Sequence, residues 1–171
     1  LLNSTDSKLG WVGHKMLGQQ HTGTVNFKSG DFVVEGGVLR GGKFEIDMTT
    51  SAVTDIEYAE SNAKLLGHLK SPDFFSVDSN AVSLFEIKRI GKIAGSTESQ
   101  PNYGVEGDLT IKGITNPVSF QARVDVTETD LKAKAVFDVD RTLWNINYKG
   151  MADNMIKDMM TFNVNISAAK Q

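Results

Sequence analysis

Three histidines are the side chains of this sequence best suited to metal or acid–base chemistry. His14, His21 and His68 are its only histidines, and no two of them stand at a recognised metal-ligand spacing. If the first hairpin turns tightly at residues 18–19, His14 and His21 share one face of a sheet, and His68 or Asp73 could complete a metal or polar cluster. The interpretation that we favour is three ordinary hydrogen-bonded histidines at the mouth of a barrel.

Two further motifs resemble ligand sites but fail at a required position. Residues 37–43 match the first seven positions of a phosphate-binding loop, yet Phe44 replaces the Ser or Thr that would reach magnesium, and a strand follows. Residues 138–140 resemble the start of a calcium loop, but Leu143 stands where glycine is required. There is no cysteine and no Gly-x-Ser-x-Gly elbow. We therefore predict no catalytic residues, no metal, no cofactor and no enzymatic activity.

Arg141 and the two tryptophans have both a structural and a ligand-binding interpretation. A buried Arg141 could anchor the polar head of a ligand, or it could pair with a carboxylate and close the barrel, which is the interpretation we favour. Trp11 and Trp144 suit a core. In a barrel that contains a cavity, core residues and ligand contacts coincide.

The elements that must position these residues are mainly strands, because apolar and polar residues alternate along most of the chain. Residues 105–112, 118–126 and 131–139 predict an antiparallel meander with a turn at 113–117. Glycines and short polar stretches separate the remaining segments. These predict two N-terminal hairpins and two further strands, at residues 9–16 with 21–28, 32–35 with 38–48, 80–90 and 161–168. About eight strands indicate a closed up-and-down barrel or a sandwich.

One segment has helical rather than strand periodicity. Thr54 and Glu57 resemble a capping box, apolar residues recur at helical spacing, and Gly67 could end the helix. This predicts a short helix over residues 55–66. The turn that follows, at residues 71–75, carries two adjacent phenylalanines, which we expect to plug or line one end of the barrel.

Composition indicates one domain that spans residues 1–171. The hydrophobic content is 40%, and the 18 basic and 21 acidic residues are interspersed, giving a net charge of −3. Without a basic patch, binding to nucleic acid is not expected. No stretch approaches the roughly 20 apolar residues that cross a bilayer. The first residue is leucine rather than methionine, so we expect a protein exported after removal of a signal peptide or lipid anchor.

Three segments resemble conserved stretches of the YceI-like family of bacterial polyisoprenoid-binding proteins. They are LGHLKSPDFFSV at residues 66–77, GDLTIKGITNPV at 107–118 and DRTLWNI at 140–146. The resemblance implies an all-β fold, an elongated antiparallel lipocalin-like barrel with a helix at its side. It also implies a tunnel for a polyisoprenoid or other long-chain lipid, and export to the periplasm. Lys112 and Asn145 depart from the residues that are frequent in the family, and the identity of the ligand does not carry over.

A tunnel of this kind needs apolar walls, so the candidate ligand-binding residues are large apolar side chains on the predicted strands and turns. They are Trp11, Phe27, Phe44, Ile46, Leu69, Phe74, Phe75, Phe85, Leu109, Phe120, Phe137, Trp144 and Phe162. Four polar residues are candidates for a mouth that contacts the head of the ligand. They are His21, His68, Asp73 and Arg141.

Three functions remain open at this point. The first is a non-catalytic carrier of a long-chain lipid or isoprenoid, which requires a continuous apolar tunnel. The second is a small histidine- or metal-dependent enzyme at the barrel mouth, which requires the three histidines to converge. The third is a structural interaction module whose barrel is filled by its own side chains. The oligomeric state is also open, with a homodimer as one alternative.

Overall fold

The computed structural model describes residues 1–151 and 155–170, which form a closed barrel of eight antiparallel strands, each paired with the next strand in the chain and the last with the first. One α-helix lies between the third and fourth strands, and a 3₁₀ turn, Arg141–Trp144, follows the seventh. The strands are β1 Lys8–Lys15, β2 Gln20–Glu35, β3 Val38–Val53, β4 Val82–Lys92, β5 Tyr103–Ile111, β6 Ile114–Val126, β7 Asp130–Asp140 and β8 Ile156–Ala169, and α1 is Ala59–Lys70. The predicted all-β antiparallel barrel with a side helix is confirmed.

Alternation along the strands gives the barrel its two surfaces. In β7, Leu131, Ala133 and Ala135 are buried, whereas Lys132 and Lys134 between them are exposed. The predicted separation of residues 21–28 from 32–35 is wrong, because both belong to the single long strand β2. Register shifts between β2 and β3 let this strand bend without ending.

Two-residue turns with positive φ join the strands of two hairpins. Gly36 and Gly37 have φ of 58° and 75°, which confirms the predicted hairpin at this position. Lys112 and Gly113 have φ of 53° and 71°, and Ile111 pairs with Ile114. The predicted turn over 113–117 is therefore too long, and Pro117 lies inside β6. The proline is tolerated because β6 has no strand partner on its other side at this level.

The helix begins four residues later than predicted. Its N-cap is Tyr58, without a side-chain capping bond, and it continues through Gly67 to Lys70. The predicted capping box at Thr54 is not used, because the Thr54 N–H donates to the Thr22 carbonyl and Asp55 accepts from the Thr22 N–H. These bonds keep the chain extended after β3, so the helix forms only beyond it.

The barrel has a seam between β6 and β7 where hydrogen bonding stops. The two strands pair only from Ala122 with Ala135 to Val126 with Leu131. Beyond these pairs, the rings of Phe120 and Phe137 stack with centroids 4.1 Å apart and planes 6° apart. Aromatic contact therefore replaces the hydrogen-bonded ladder along this part of the wall.

A compact apolar cluster closes the barrel at the end where α1 lies, which we call the helix end. Trp144 and Ile146 have no exposed surface and pack with Phe74, Ile111 and Val139. The Trp144 indole N–H donates to the Leu109 carbonyl at 3.0 Å. We call these five apolar residues and Arg141, which is 1% exposed, the plug.

Candidate functional site: a cavity along the barrel

A cavity of about 190 Å³ runs lengthwise inside the barrel. Its lining extends from Leu39, beside the β2–β3 turn, to Ile156 and Arg141 at the helix end. Along β8 the lining reaches from Ile156 to Ile166, which at about 3.3 Å per residue and a typical strand tilt corresponds to roughly 25 Å along the axis. The space holds roughly a dozen water-sized groups. Its shape suits one slender molecule.

The cavity is lined almost entirely by aliphatic and aromatic side chains. Of the thirteen residues predicted to contact a ligand, twelve line it: Trp11, Phe27, Phe44, Ile46, Leu69, Phe74, Phe75, Phe85, Leu109, Phe120, Phe137 and Phe162. The thirteenth, Trp144, lies in the plug behind the wall. That these residues contact a ligand stays a prediction.

Several smaller lining residues were missed as contacts by sequence reasoning. Val124, Ala133, Ala135 and Ile166 line the cavity on β6, β7 and β8. Each lies an even number of residues from a ring on its own strand: from Phe120 on β6, Phe137 on β7 or Phe162 on β8. This alternation was the signal in the sequence that could have identified them. The candidate residues were chosen for their large apolar side chains, so the small side chains that leave room for the cavity were not included.

Aromatic rings form a belt across the cavity wall. Centroid distances are 6.3 Å from Phe44 to Phe85, 5.7 Å from Phe85 to Phe120 and 5.8 Å from Phe137 to Phe162. The 4.1 Å stack of Phe120 on Phe137 links the two halves across the seam. Trp11 continues the series, because it is the strand partner of Phe162. We call these six residues the aromatic belt.

The Arg141 guanidinium is committed mainly to the protein. It donates from Nε to the Lys157 carbonyl at 3.0 Å, from Nη1 to the Ile146 carbonyl at 2.6 Å and from Nη2 to Asp158 Oδ1 at 3.2 Å. Burial lowers the pKa of Arg141, although Asp158 and Asp140 oppose that shift. These bonds favour the interpretation that the arginine closes the barrel over the interpretation that it anchors a ligand.

His14 and His21 lie on opposite faces of the first hairpin. His14 pairs with Gln20 and His21 with Gly13, so the expectation of one shared face is wrong. The pairing centres the turn on residue 17 rather than on residues 18–19, and this odd shift of three residues in register reverses the face on which His21 lies relative to His14. His14 is among the residues that line the cavity, at the β-bulge between Gly13 and Lys15, whereas His21 is not.

Each histidine has its own hydrogen-bond partner. The Thr161 hydroxyl donates to Asp138 at 2.5 Å and accepts from His14 Nε2 at 2.9 Å. His21 Nδ1 donates to Asp55 at 2.9 Å. Desolvation raises the pKa of Asp55, but bonds from Thr22 and His21 outweigh it and hold that pKa below its ordinary value.

His68 and Asp73 lie outside the cavity, where they tie α1 to the turn that follows it. His68 Nε2 is 3.1 Å from Asp73 Oδ2, and its ring meets Phe74 and Tyr148 edge-on at centroid distances of 4.9 and 4.5 Å. Lys112 Nζ donates to the Pro72 carbonyl at 3.2 Å. These contacts hold Phe74 over the end of the cavity.

A metal site is not formed by the described part of the chain, since within residues 1–151 and 155–170 no three His, Cys, Asp or Glu side chains are grouped to hold an ion. In the same residues, no helix is both long and apolar enough to span a bilayer.

Comparison with known families identifies one match. The family model described as YceI-like domain matches residues 1–168. A search of curated proteins finds no match.

Solved structures with the same fold include proteins from three bacteria. The chain is 18% identical to BcnA of Burkholderia cenocepacia, with a TM-score of 0.78, covering 98% of this chain and 99% of that one. It is 14% identical to a polyisoprenoid binding domain from Saccharophagus degradans, with a TM-score of 0.68, covering 99% and 97%. For the Campylobacter jejuni YCEI protein these values are 16%, 0.59, 86% and 84%. At these identities the likeness establishes the fold.

Proposed function

We propose that this chain, which belongs to the YceI-like family, is a non-catalytic carrier of one long apolar molecule held inside the barrel. The ligand class is a polyisoprenoid, such as an isoprenoid quinone or a polyprenyl phosphate, or a fatty-acid-like lipid. The observation that carries the proposal is the apolar cavity of about 190 Å³ with its aromatic belt. The Saccharophagus degradans relative, a polyisoprenoid binding domain, supports the same class.

The physical basis of binding is burial of apolar surface. Each square ångström that leaves water contributes roughly 25 cal/mol, so a slender hydrocarbon chain needs walls rather than polar anchors. Phe120, Phe137 and Phe162 are only partly buried although they point inward. Part of each ring faces the cavity, and a ligand would cover that surface.

The two other functions have less support. A structural module with a filled barrel requires the lining residues to meet at the axis, whereas a lengthwise cavity separates them. An enzyme built on the histidines requires them to converge. His14, His21 and His68 instead bond to Thr161, Asp55 and Asp73, at different places on the barrel.

Native mass spectrometry of freshly purified protein, followed by organic extraction, tests the proposal directly. We expect a stoichiometric adduct whose extracted mass identifies a long-chain lipid or isoprenoid. A bare protein that stays bare after incubation with isoprenoid quinones, polyprenyl phosphates and fatty acids would refute the carrier function. The same spectrum reads the oligomeric state, including the homodimer alternative.

A matched pair of substitutions on β7 tests where the ligand sits. Ala135 is buried and lines the cavity, whereas the next residue, Val136, is 63% exposed. We expect Ala135→Phe to fill the cavity and to abolish loading, while Val136→Phe loads like the unmodified protein. Circular dichroism checks that both variants fold. Equal loading by two folded variants would exclude the cavity as the binding site.

Export to the periplasm is part of the proposal and rests on the family resemblance alone. Fractionation of cells that express the complete gene would test it, with the protein expected in the periplasmic fraction.

A further inference from the structure

Exposed apolar side chains gather at one edge of the helix end. The β1–β2 turn carries Met16, 56% exposed, and Leu17, 82% exposed, and the start of β8 carries Met155, 43% exposed. The two segments touch, since the Met16 N–H donates to the Met155 carbonyl at 2.8 Å. We call these three residues the apolar rim. A cluster of exposed apolar side chains is a candidate interaction site.

The apolar rim continues into the lining of the cavity. His14, Ile156 and Lys157, within two residues of the rim along β1 and β8, are among the lining residues. At this point the β1–β8 register shifts, so that Gly13 pairs with Met160 but Lys15 pairs with Ile156. The shift leaves the ladder incomplete where the cavity approaches the surface. A surface that covered the rim would therefore lie next to the cavity.

Positive charge borders the apolar rim. Lys15 and Lys157 adjoin it in the chain, and the Lys149 carbonyl accepts from the Ile156 N–H at 3.0 Å. Asp158, which follows Lys157 in the chain, is paired with Arg141.

The opposite end of the barrel carries charges of both signs. Its turns and strand ends include Glu35, Glu128 and Asp130, but also Arg40, Lys92 and Lys170, and Arg40 pairs with Glu35. On a chain whose net charge is −3, the basic edge is a local feature, and it favours an orientation with the rim toward a negative surface.

We propose that the apolar rim docks on a bilayer that contains anionic phospholipids, and that an apolar ligand passes between bilayer and cavity at this contact. Passage of the ligand, but not docking on the bilayer, rests on the proposed carrier function. Met16 and Leu17 insert among the acyl chains, and Lys15, Lys149 and Lys157 meet the negative head groups. This combination of apolar insertion and basic flanks is how peripheral proteins bind anionic membranes.

Vesicle flotation without any ligand tests the docking surface. We expect binding to vesicles of mixed phosphatidylglycerol and phosphatidylcholine, and release at high salt, because screening removes the attraction to the head groups. Met16→Glu with Leu17→Glu should weaken binding by about tenfold or more. Val33→Glu is the matched control, since Val33 is 49% exposed at the opposite end. No vesicle binding, or an equal loss in the control, would overturn the proposal.

Transfer kinetics test whether an apolar ligand passes between the bilayer and the cavity at this contact. Protein loaded with a short-chain menaquinone is mixed with the same vesicles, and we expect the transfer rate to rise with vesicle concentration. The rim variant should load like the unmodified protein and transfer about tenfold more slowly. A rate that is independent of vesicle concentration would overturn transfer by contact. Failure of the unmodified protein to load any apolar ligand would instead refute the carrier function, and flotation would still decide the docking surface.

Discussion

The five apolar side chains of the plug are all buried, whereas five of the six rings of the aromatic belt are only partly buried. Trp144 and Ile146 in the plug have no exposed surface, and the Trp144 N–H is bonded to a carbonyl. Phe120 and Phe137 in the belt point inward but remain partly exposed toward the cavity. The plug therefore closes one end of the barrel with side chains that are already covered, while the belt keeps uncovered apolar surface along the wall.

Side-chain size explains why one region is solid and the other open. An eight-stranded barrel is just wide enough for side chains to fill it. Ala122, Ala133 and Ala135 are small, and they line the cavity on the same strands as Phe120 and Phe137, where they leave space beside the rings. At the helix end the 3₁₀ turn places the large Trp144 side chain in the plug, where it is fully buried. The wall can therefore accept a ligand where the plug cannot.

The largest effect is expected from Trp144→Ala. The substitution removes a fully buried side chain and leaves the Leu109 carbonyl without its donor, so it should lower the free energy of unfolding by about 3–5 kcal/mol. Phe137→Ala removes a ring that already faces the cavity, so it should lower the free energy of unfolding by less than about half of that amount. Urea unfolding of both variants measures the difference. Equal losses would break the comparison between plug and belt.

Arg141→Met should have the next largest effect. It leaves the buried carbonyl of Ile146 and the partly buried carbonyl of Lys157 without their guanidinium donors, and we expect a loss of about 2–4 kcal/mol. Asp158→Ala is the matched control. The Asp158 side chain is 61% exposed whereas that of Arg141 is 2% exposed, so removal of the carboxylate should cost less than about 1 kcal/mol. A larger loss for Asp158→Ala would show that the ion pair, rather than the carbonyl bonds, secures the plug.

Phe137→Ala should affect ligand affinity more than stability, in contrast to the substitutions in the plug. The ring lies in the belt and stacks on Phe120, so its loss should weaken affinity for the extracted ligand by roughly tenfold or more. Fluorescence titration or isothermal calorimetry measures this change. Leu143→Ala serves as the control, because Leu143 is 54% exposed and does not line the cavity. Unchanged affinity in a folded Phe137 variant would remove the belt from the binding site.

Acid titration should give the smallest effect. The folded-state pKa of Asp55 lies below the ordinary value of 3.8. Its ionised form therefore stabilises the fold above pH 3.8, and that contribution is lost as the pH falls through the folded pKa. In Asp55→Asn the free energy of unfolding should depend less steeply on pH below 3.8. Identical acid profiles of the two proteins would show that the ionised Asp55 does not contribute to the free energy of unfolding.

Much of the fold could be predicted from local pattern. Alternation in residues 131–139 predicted β7, and Gly36-Gly37 predicted a hairpin turn, because both signals act between near neighbours in the chain. The start of α1 could not be predicted in this way. The bonds that hold Thr54 and Asp55 extended come from Thr22, which is distant in sequence.

The cavity was predictable as a set of residue types but not as a geometry. The residues that line it were expected to be large and apolar, and Phe120 and Phe162 are examples. Only the closed barrel decides that Trp11 faces the cavity while Trp144 fills the plug. The partner of the Trp144 N–H, the Leu109 carbonyl, lies 35 residues away.

The sequence by itself determined the strand periodicity, the turns with positive φ, the absence of cysteine and the apolar character of the interior. Tertiary structure decided the register of His14 and His21, the seam between β6 and β7, and the use of Arg141 to secure the plug. The physical reason is that a side chain's type fixes what it can bond, whereas register and barrel closure fix which partner comes within reach.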